Sequence, residues 1–179
     1  MKKSRVILDN NQFQLTIDRL CHQLIENYDN FERACLIGIQ EGGVAMGGRI
    51  QTRLQEILGL DEILYGKLDI TFYRDDYRIR TEPLKASATE IDFIIEGKRV
   101  ILLDDVLYTG RSVHAAMTAL QHYGRPDNVE LMVMVDRRFN RHLPIQSDYT
   151  GLTIDALDES YVRVEWAGQN EIDQVVLLG

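Results

Sequence analysis

One junction constrains the fold more than any other. Val100-Ile101-Leu102-Leu103 is apolar throughout and stops at two adjacent carboxylates, Asp104-Asp105. A short loop with hydroxyls and a glycine follows, Val106-Leu107-Tyr108-Thr109-Gly110-Arg111, and a helix-patterned segment opens at Ser112. A short unbroken apolar run fits a strand buried on both faces, which is the habit of parallel sheets covered by helices. The same order recurs along the chain. Residues 11–27 carry Phe13, Ile17, Leu20, Cys21, Leu24 and Ile25 at helical spacing, Ala34–Ile39 is a second buried-strand run, and a helix is expected from about Val44 to Leu58. Lys67–Arg74 alternates as a half-buried strand, a helix over about 112–123 turns Val113, Ala116, Met117 and Leu120 inward, and Val129–Val135 and Tyr161–Trp166 read as further strands. Strands alternating with helices predict an α/β fold with a mostly parallel central sheet.

At 179 residues the chain reads as one domain, 1–179, with no repeat or linker to divide it. Asp75–Ile91 is polar and aperiodic, which points to a functional loop over about 74–91. The net charge of −8 opposes a protein that grips nucleic acid by bulk electrostatics. No apolar run approaches the ~20 residues of a membrane span, so no membrane association is expected. Val6-Ile7-Leu8 is too short for a secretory signal core. Cys21 and Cys35 both sit in apolar stretches and are expected to be buried free thiols, consistent with a cytoplasmic protein. The four histidines show no metal-ligand spacing with them, and Trp166, Met132 and Met134 read as packing.

In open α/β sheets, ligands bind beyond the carboxyl ends of the strands. Asp104 and Asp105 stand at such an end, and the loop beyond them leads to a helix N-terminus, where free N–H groups and the helix dipole favour an anion. One ligand can therefore place a phosphate on the Thr109–Ser112 turn and sugar hydroxyls on the carboxylates. Two plainer readings stay open at this level: a Thr-Gly-x-Ser turn that only caps a helix, and an aspartate pair that binds magnesium and accepts a phosphoryl group. A Walker loop is excluded, because no Gly-Lys-Ser/Thr follows a glycine-rich turn.

The full string Leu103-Asp104-Asp105-Val106-Leu107-Tyr108-Thr109-Gly110-Arg111-Ser112 resembles the phosphoribosyl pyrophosphate (PRPP) motif of type I phosphoribosyltransferases, and its Val-Leu-Tyr-Thr-Gly-Arg form resembles the PyrR family of pyrimidine operon regulators and uracil phosphoribosyltransferases. Val6–Asp9, Asp69–Asp76, Tyr123–Pro126, Val135–Arg137 and Leu143–Ile145 agree in the same order over nearly the whole chain. The resemblance implies a type I phosphoribosyltransferase fold with a mobile loop over about 74–91 and C-terminal hood elements over about 150–179. It implies transfer of ribose 5-phosphate from PRPP to uracil, giving UMP and pyrophosphate, with Mg2+ carried in on PRPP, water-bridged at most to Asp104 and Asp105.

By the same resemblance Asp104 and Asp105 hold the ribose, and Val106, Leu107, Tyr108, Thr109, Gly110, Arg111 and Ser112 wrap the 5′-phosphate. Arg74 closes over pyrophosphate, with Arg78 and Arg80 as weaker candidates. Gln40, Glu41 and Gly42 form the pyrophosphate turn, and Asp136, Arg137 and Arg138 lie near the base. The turn departs from the family's basic pattern: an arginine is missing and Glu41 has appeared, which counts against catalytic efficiency. The resemblance also implies a second role, since Gram-positive members of the family bind leader RNA and cause transcription attenuation. The one basic cluster here, Arg137, Arg138, Arg141 and His142, is read as substrate contact or surface charge, and Asp18, Gln40, Glu41 and Gln146 stand where RNA-regulating relatives are basic or small and polar, so RNA binding is disfavoured. Self-association is expected. Two alternatives remain: an RNA-binding attenuator with a nucleotide-sensing, catalytically weak PRPP site, and a phosphoribosyltransferase for a purine base.

Overall fold

In the computed structural model, which describes residues 4–75, 87–155, 161–168 and 170–179, the buried runs become one parallel sheet. Its strands are β2 (Ala34–Ile39), β3 (Tyr65–Leu68), β4 (Arg99–Leu107), β5 (Asn128–Arg137) and β6 (Tyr149–Ile154), in the order β3-β2-β4-β5-β6. Every neighbouring pair is parallel. Strand parity sorts the apolar runs into two cores. Leu36, Ile101, Leu103, Met132 and Met134 meet the helices α1 (Asn10–Tyr28) and α2 (Gly42–Leu58) on one face. Cys35, Ile37, Val100, Leu102, Leu131 and Val133 meet α3 (Arg111–Leu120) on the other. The apolar stretches are unbroken because both faces of the sheet are covered.

α1 starts where Asp9 and Gln12 close a reciprocal cap: the Asp9 carboxylate accepts the Gln12 N–H at 2.9 Å and the Gln12 amide oxygen accepts the Asp9 N–H at 3.2 Å. Its inward stripe is Phe13, Ile17, Leu20, Cys21 and Leu24. Both cysteines are buried and free. Burial pushes the Cys21 thiol up to about 12 and the Cys35 thiol up to about 11.

A second sheet joins regions distant in sequence. β1 (Ser4–Leu8), β7 (Tyr161–Glu165) and β8 (Gln174–Leu178) run antiparallel in the order β1-β8-β7. A polar clasp fastens it to the helices. Asp173 accepts from Arg49 at 2.7 and 3.1 Å and from the Gln14 side chain at 3.0 Å. The Arg49 guanidinium lies 4.9 Å from the centre of the Trp166 ring, which packs edge-on against Phe13. At the amino ends of β4 and β5, the Glu130 carboxylate accepts the hydroxyls of Tyr28 and Tyr149 at 2.6 Å each, the Arg99 guanidinium at 3.1 Å and the Asn128 amide at 2.9 Å.

Several boundaries differ from the sequence pattern. The strand expected over 67–74 is β3 followed by a 3-10 turn, Thr71–Tyr73. Asp69 ends the strand: its carboxylate accepts the Thr71 N–H at 2.9 Å, the Thr71 hydroxyl at 2.6 Å and the Ser87 N–H at 2.9 Å. Strand alternation and a tight Asx turn share the same polar spacing here, so the pattern alone does not separate them. α2 opens at Gly42, two residues ahead of Val44, and α3 spans Arg111–Leu120. Met117 is 41% exposed, because Ala115 and Ala119 complete the inward face in its place. Residues 150–179 divide between the two sheets, with Tyr149–Ile154 at the edge of the parallel one. Of the polar loop, residues 76–86, including Arg78 and Arg80, lie outside the described residues, while Ala88 and Glu90 are tied to Gln40 and Lys67.

Candidate active site

β4 carries its last apolar residues into Asp104-Asp105-Val106-Leu107 and then turns at Tyr108-Thr109-Gly110 into α3. Gly110 has φ +90°, a conformation that costs a side-chain-bearing residue free energy. Space beside it is also tight, since an added Cβ would lie 3.2 Å from the Ile145 side chain. The first N–H groups of α3 have no acceptor within the helix and face the positive end of its dipole. Arg74, Asp104 and the run 106–113 line a cleft of about 170 Å³ here. The Arg74 guanidinium reaches the Ser112 hydroxyl at 3.4 Å, and Arg111 pairs with Asp75.

The carboxylates are held differently. Asp104 accepts the Asp105 N–H at 3.0 Å, and Asp105 accepts the Val106 N–H at 2.8 Å. Burial pushes the Asp104 carboxyl well above the usual carboxylate range, the adjacent Asp105 charge adds to that, and Arg74 opposes it. Burial also raises Asp105, against the pull of its backbone N–H donors. Asp104 lines the cleft, whereas Asp105 lies against the start of α2. There a Cβ at Gly42 would meet the Asp105 carboxylate at 2.2 Å, and one at Gly43 would meet the Leu103 carbonyl oxygen at 2.1 Å. The two glycines let the helix seat on β4, with its positive end beside Asp105.

The structure thus brings Arg74, Asp104 and residues 106–112 to one cleft, with Asp105 and Gly42 behind it. Leu107 is buried and serves as wall. Gln40 and Glu41 precede α2 at the carboxyl end of β2, joined by a cis peptide. Gln40 donates to the Ala88 carbonyl at 3.3 Å, and Glu41 makes no capping bond with its side chain. Asp136 and Arg137 end β5 next to β4, but neither lines the cleft: Asp136 pairs with Arg141, and Arg137 is buried with its guanidinium 4.1 Å from the centre of the Tyr108 ring. Arg138 turns to Asp155 at 2.7 Å. Among the described residues no group of three or more His, Cys, Asp and Glu side chains could hold a metal. Asp104 and Asp105 supply two carboxylates at most, so a hard cation at this cleft would need oxygens from its ligand and water.

The sequence pattern reads Arg141 and His142 as substrate contact or surface charge, without a partner in the turn. In the fold, Arg141 donates to the Tyr108 carbonyl and the His142 N–H donates to the Thr109 carbonyl at 3.0 Å. Tertiary pairing across this distance has no local signature, apart from an arginine-rich segment directly after a strand that borders the site.

Residues 4–168 match the model of the phosphoribosyl transferase domain. The Bifunctional protein PyrR of Caldicellulosiruptor bescii is 42% identical over 92% of this chain and 89% of its own length. The protein of the same name from Geobacter sp. strain M21 is 40% identical over 99% of both. A hypoxanthine-guanine phosphoribosyltransferase of Bacillus anthracis superposes with a TM-score of 0.72 at 16% identity, covering 100% of this chain and 99% of that one, which speaks to the fold. A type I phosphoribosyltransferase fold, a carboxylate pair beside the N-terminus of α3, and likeness to these proteins over nearly the whole chain agree: the protein belongs to the PyrR family of phosphoribosyltransferases.

Proposed function

We propose that the protein transfers ribose 5-phosphate from PRPP to uracil, releasing UMP and pyrophosphate. The single observation that carries this reading is the Asp104-Asp105 pair at the end of β4, next to the cup formed by the Tyr108–Gly110 turn and the start of α3, in a chain of the PyrR family. The 5′-phosphate accepts from backbone N–H groups and hydroxyls of Thr109–Ser112. Ribose hydroxyls donate to Asp104 and Asp105, which accept most strongly when ionised. As pyrophosphate departs, the anomeric carbon becomes cation-like, and nearby carboxylates favour that charge. Arg74, at the cleft mouth, offsets the negative charge growing on the leaving group. Reaction follows from positioning and electrostatics without a covalent protein intermediate.

Mg2+ would fit as a passenger on PRPP: Asp104 and Asp105 would hold it through water at most, and it would supply charge neutralisation for the departing pyrophosphate. The turn Gln40-Glu41-Gly42 receives pyrophosphate on its backbone, and the Glu41 carboxylate makes this a weaker subsite than a basic turn. The base sits against the carboxyl end of β5, where main-chain groups of Asp136, Arg137 and Arg138 read its edge. The PyrR relatives favour uracil over a purine, since the purine-enzyme neighbour is only 16% identical. Incubation with Mg2+, PRPP and a panel of bases tests the reading. UMP and pyrophosphate formation with uracil alone is expected; a purine nucleotide, or no turnover with any base, overturns it.

Regulatory RNA binding is weak in this reading. Arg138 pairs with Asp155, Arg141 with Asp136 and Arg53 with Asp18, while Arg19 donates to the carbonyls of Thr150 and Gly151. These cations already hold anionic or carbonyl partners and would have to leave them for phosphates. A gel shift with a pyrimidine-operon leader shows no UMP-enhanced complex if this is right. Self-association and a cytoplasmic address belong to the same proposal. Among the described residues no helix is long and apolar enough to cross a membrane, and analytical ultracentrifugation reads the association.

A further inference from the structure

We infer that Arg141 is a positioning residue for the phosphate cup: it holds the Tyr108 carbonyl and thereby aims the next N–H at the ligand. The inference rests on the phosphoribosyl-transfer reading and deepens it. A trans peptide is planar, with its carbonyl and its N–H pointing in opposite directions. Arg141 donates to the carbonyl of Tyr108, and the His142 N–H donates to the carbonyl of Thr109. Both bonds come from the segment behind the turn. The N–H groups of Thr109 and Gly110 therefore point away from that segment. The cleft is lined by residues 106–113 together with Arg74 and Asp104, and by none of 137–145, so the cleft lies on the side to which these N–H groups are turned.

Three further contacts brace the same segment. Arg137 stacks on the Tyr108 ring. The Ile145 and Leu143 side chains close the space beside Gly110. Asp136 pairs with Arg141, fixing the guanidinium from the β5 end. Arg141 is mostly buried, with 22% of its side chain exposed. Among the described residues its hydrogen bond to the turn goes to a main-chain carbonyl, so it acts on the phosphate through the turn.

The experiment measures ribose 5-phosphate binding by titration calorimetry, together with steady-state kinetics, on the full chain. Arg141→Gln is expected to weaken ribose 5-phosphate binding and raise the KM for PRPP by about tenfold, the scale of one lost charge-assisted hydrogen bond. The KM for uracil should stay within twofold of the parent, and Arg141→Lys, which keeps one cationic donor, should recover most of the loss. Asp136→Asn leaves Arg141 in place without its anchor and should show a smaller loss in the same two quantities, which keeps the inference testable if Arg141→Gln fails to fold. Equal ribose 5-phosphate affinity in the parent and Arg141→Gln overturns the positioning role while leaving the phosphate site standing. A parallel rise in both KM values, or no rescue by lysine, also overturns it. A parent protein that binds neither ribose 5-phosphate nor PRPP overturns the site and the inference together.

Discussion

The two ends of β4 and β5 carry acidic groups in opposite conditions. At the amino ends, Glu130 accepts from two tyrosines, an arginine and an asparagine. Burial pushes its carboxyl up, but the Tyr149 and Tyr28 hydroxyls and Arg99 outweigh that and hold it below its ordinary value. At the carboxyl ends, Asp104 and Asp105 are buried side by side and both are raised. Adjacent strands of one sheet thus carry a carboxylate whose charge the fold satisfies and a pair whose charge it tolerates at a cost. Such an imbalance is typical of functional sites, and it fits the proposed reaction, in which sugar hydroxyls would supply the donors the protein withholds. On that reading the first pole serves stability and the second serves binding.

The sharpest test of that division is substitution at the carboxyl pole. Asp105→Asn and Asp104→Asn are each expected to lower kcat/KM for PRPP by roughly 10²–10³, the scale of losing one preorganised electrostatic contact, as read by UMP formation. The next largest effect belongs to the other pole. Glu130→Gln should cost about 2–3 kcal/mol in urea unfolding, since its bonds to Arg99 and to the buried tyrosines lose their charge, while kcat/KM stays within about twofold of the parent because the substitution lies at the far end of the sheet. A large loss of activity without loss of stability in Glu130→Gln would break the comparison.

The remaining two effects are smaller. Asp104→Asn should stabilise the ligand-free protein by about 0.5–2 kcal/mol at neutral pH, as removal of one unfavourable buried charge does, measured by thermal unfolding. The pH profiles then separate the poles by sign. A raised carboxyl such as Asp104 stabilises the fold when protonated, and that contribution is lost as pH rises through its folded-state value. A lowered carboxyl such as Glu130 stabilises the fold above its unfolded value and loses that contribution as pH falls through its folded value. Subtracting the stability curve of each variant from the parent between pH 3 and pH 8 should therefore give slopes of opposite sign.

Much of this architecture can be read from local pattern. β2 coincides with the expected run Ala34–Ile39, and the Asp104–Ser112 string marks the strand end, the turn and the helix start because each of those needs a particular residue type in consecutive positions. What escapes pattern is pairing across the chain. Ser4–Leu8 is a short, partly exposed edge segment that becomes a strand by meeting Gln174–Leu178, which in turn pairs with Tyr161–Glu165 on its other side. Tyr28 lies 102 residues from Glu130 and Tyr149 lies 19 from it, and the three meet only in the folded sheet. The clasp of Arg49, Asp173 and Trp166 and the hold of Arg141 on the Tyr108 carbonyl are of the same kind. The alternation over 67–74 misleads for a different reason: Asp69 captures the Thr71 N–H and bends the chain out of the sheet.

The pairing of β1 with β8 sets Ser4 opposite Leu178. Antiparallel partners lie about 5 Å apart, so Ser4 and Leu178 are near neighbours in space. A few-residue bridge could join these neighbours, and the backbone could be reopened at the exposed corner beside Gly124, between α3 and β5. A circular permutant built in that way should keep both sheets and the cleft beside Asp104, because neither cut nor bridge would alter which strands lie side by side.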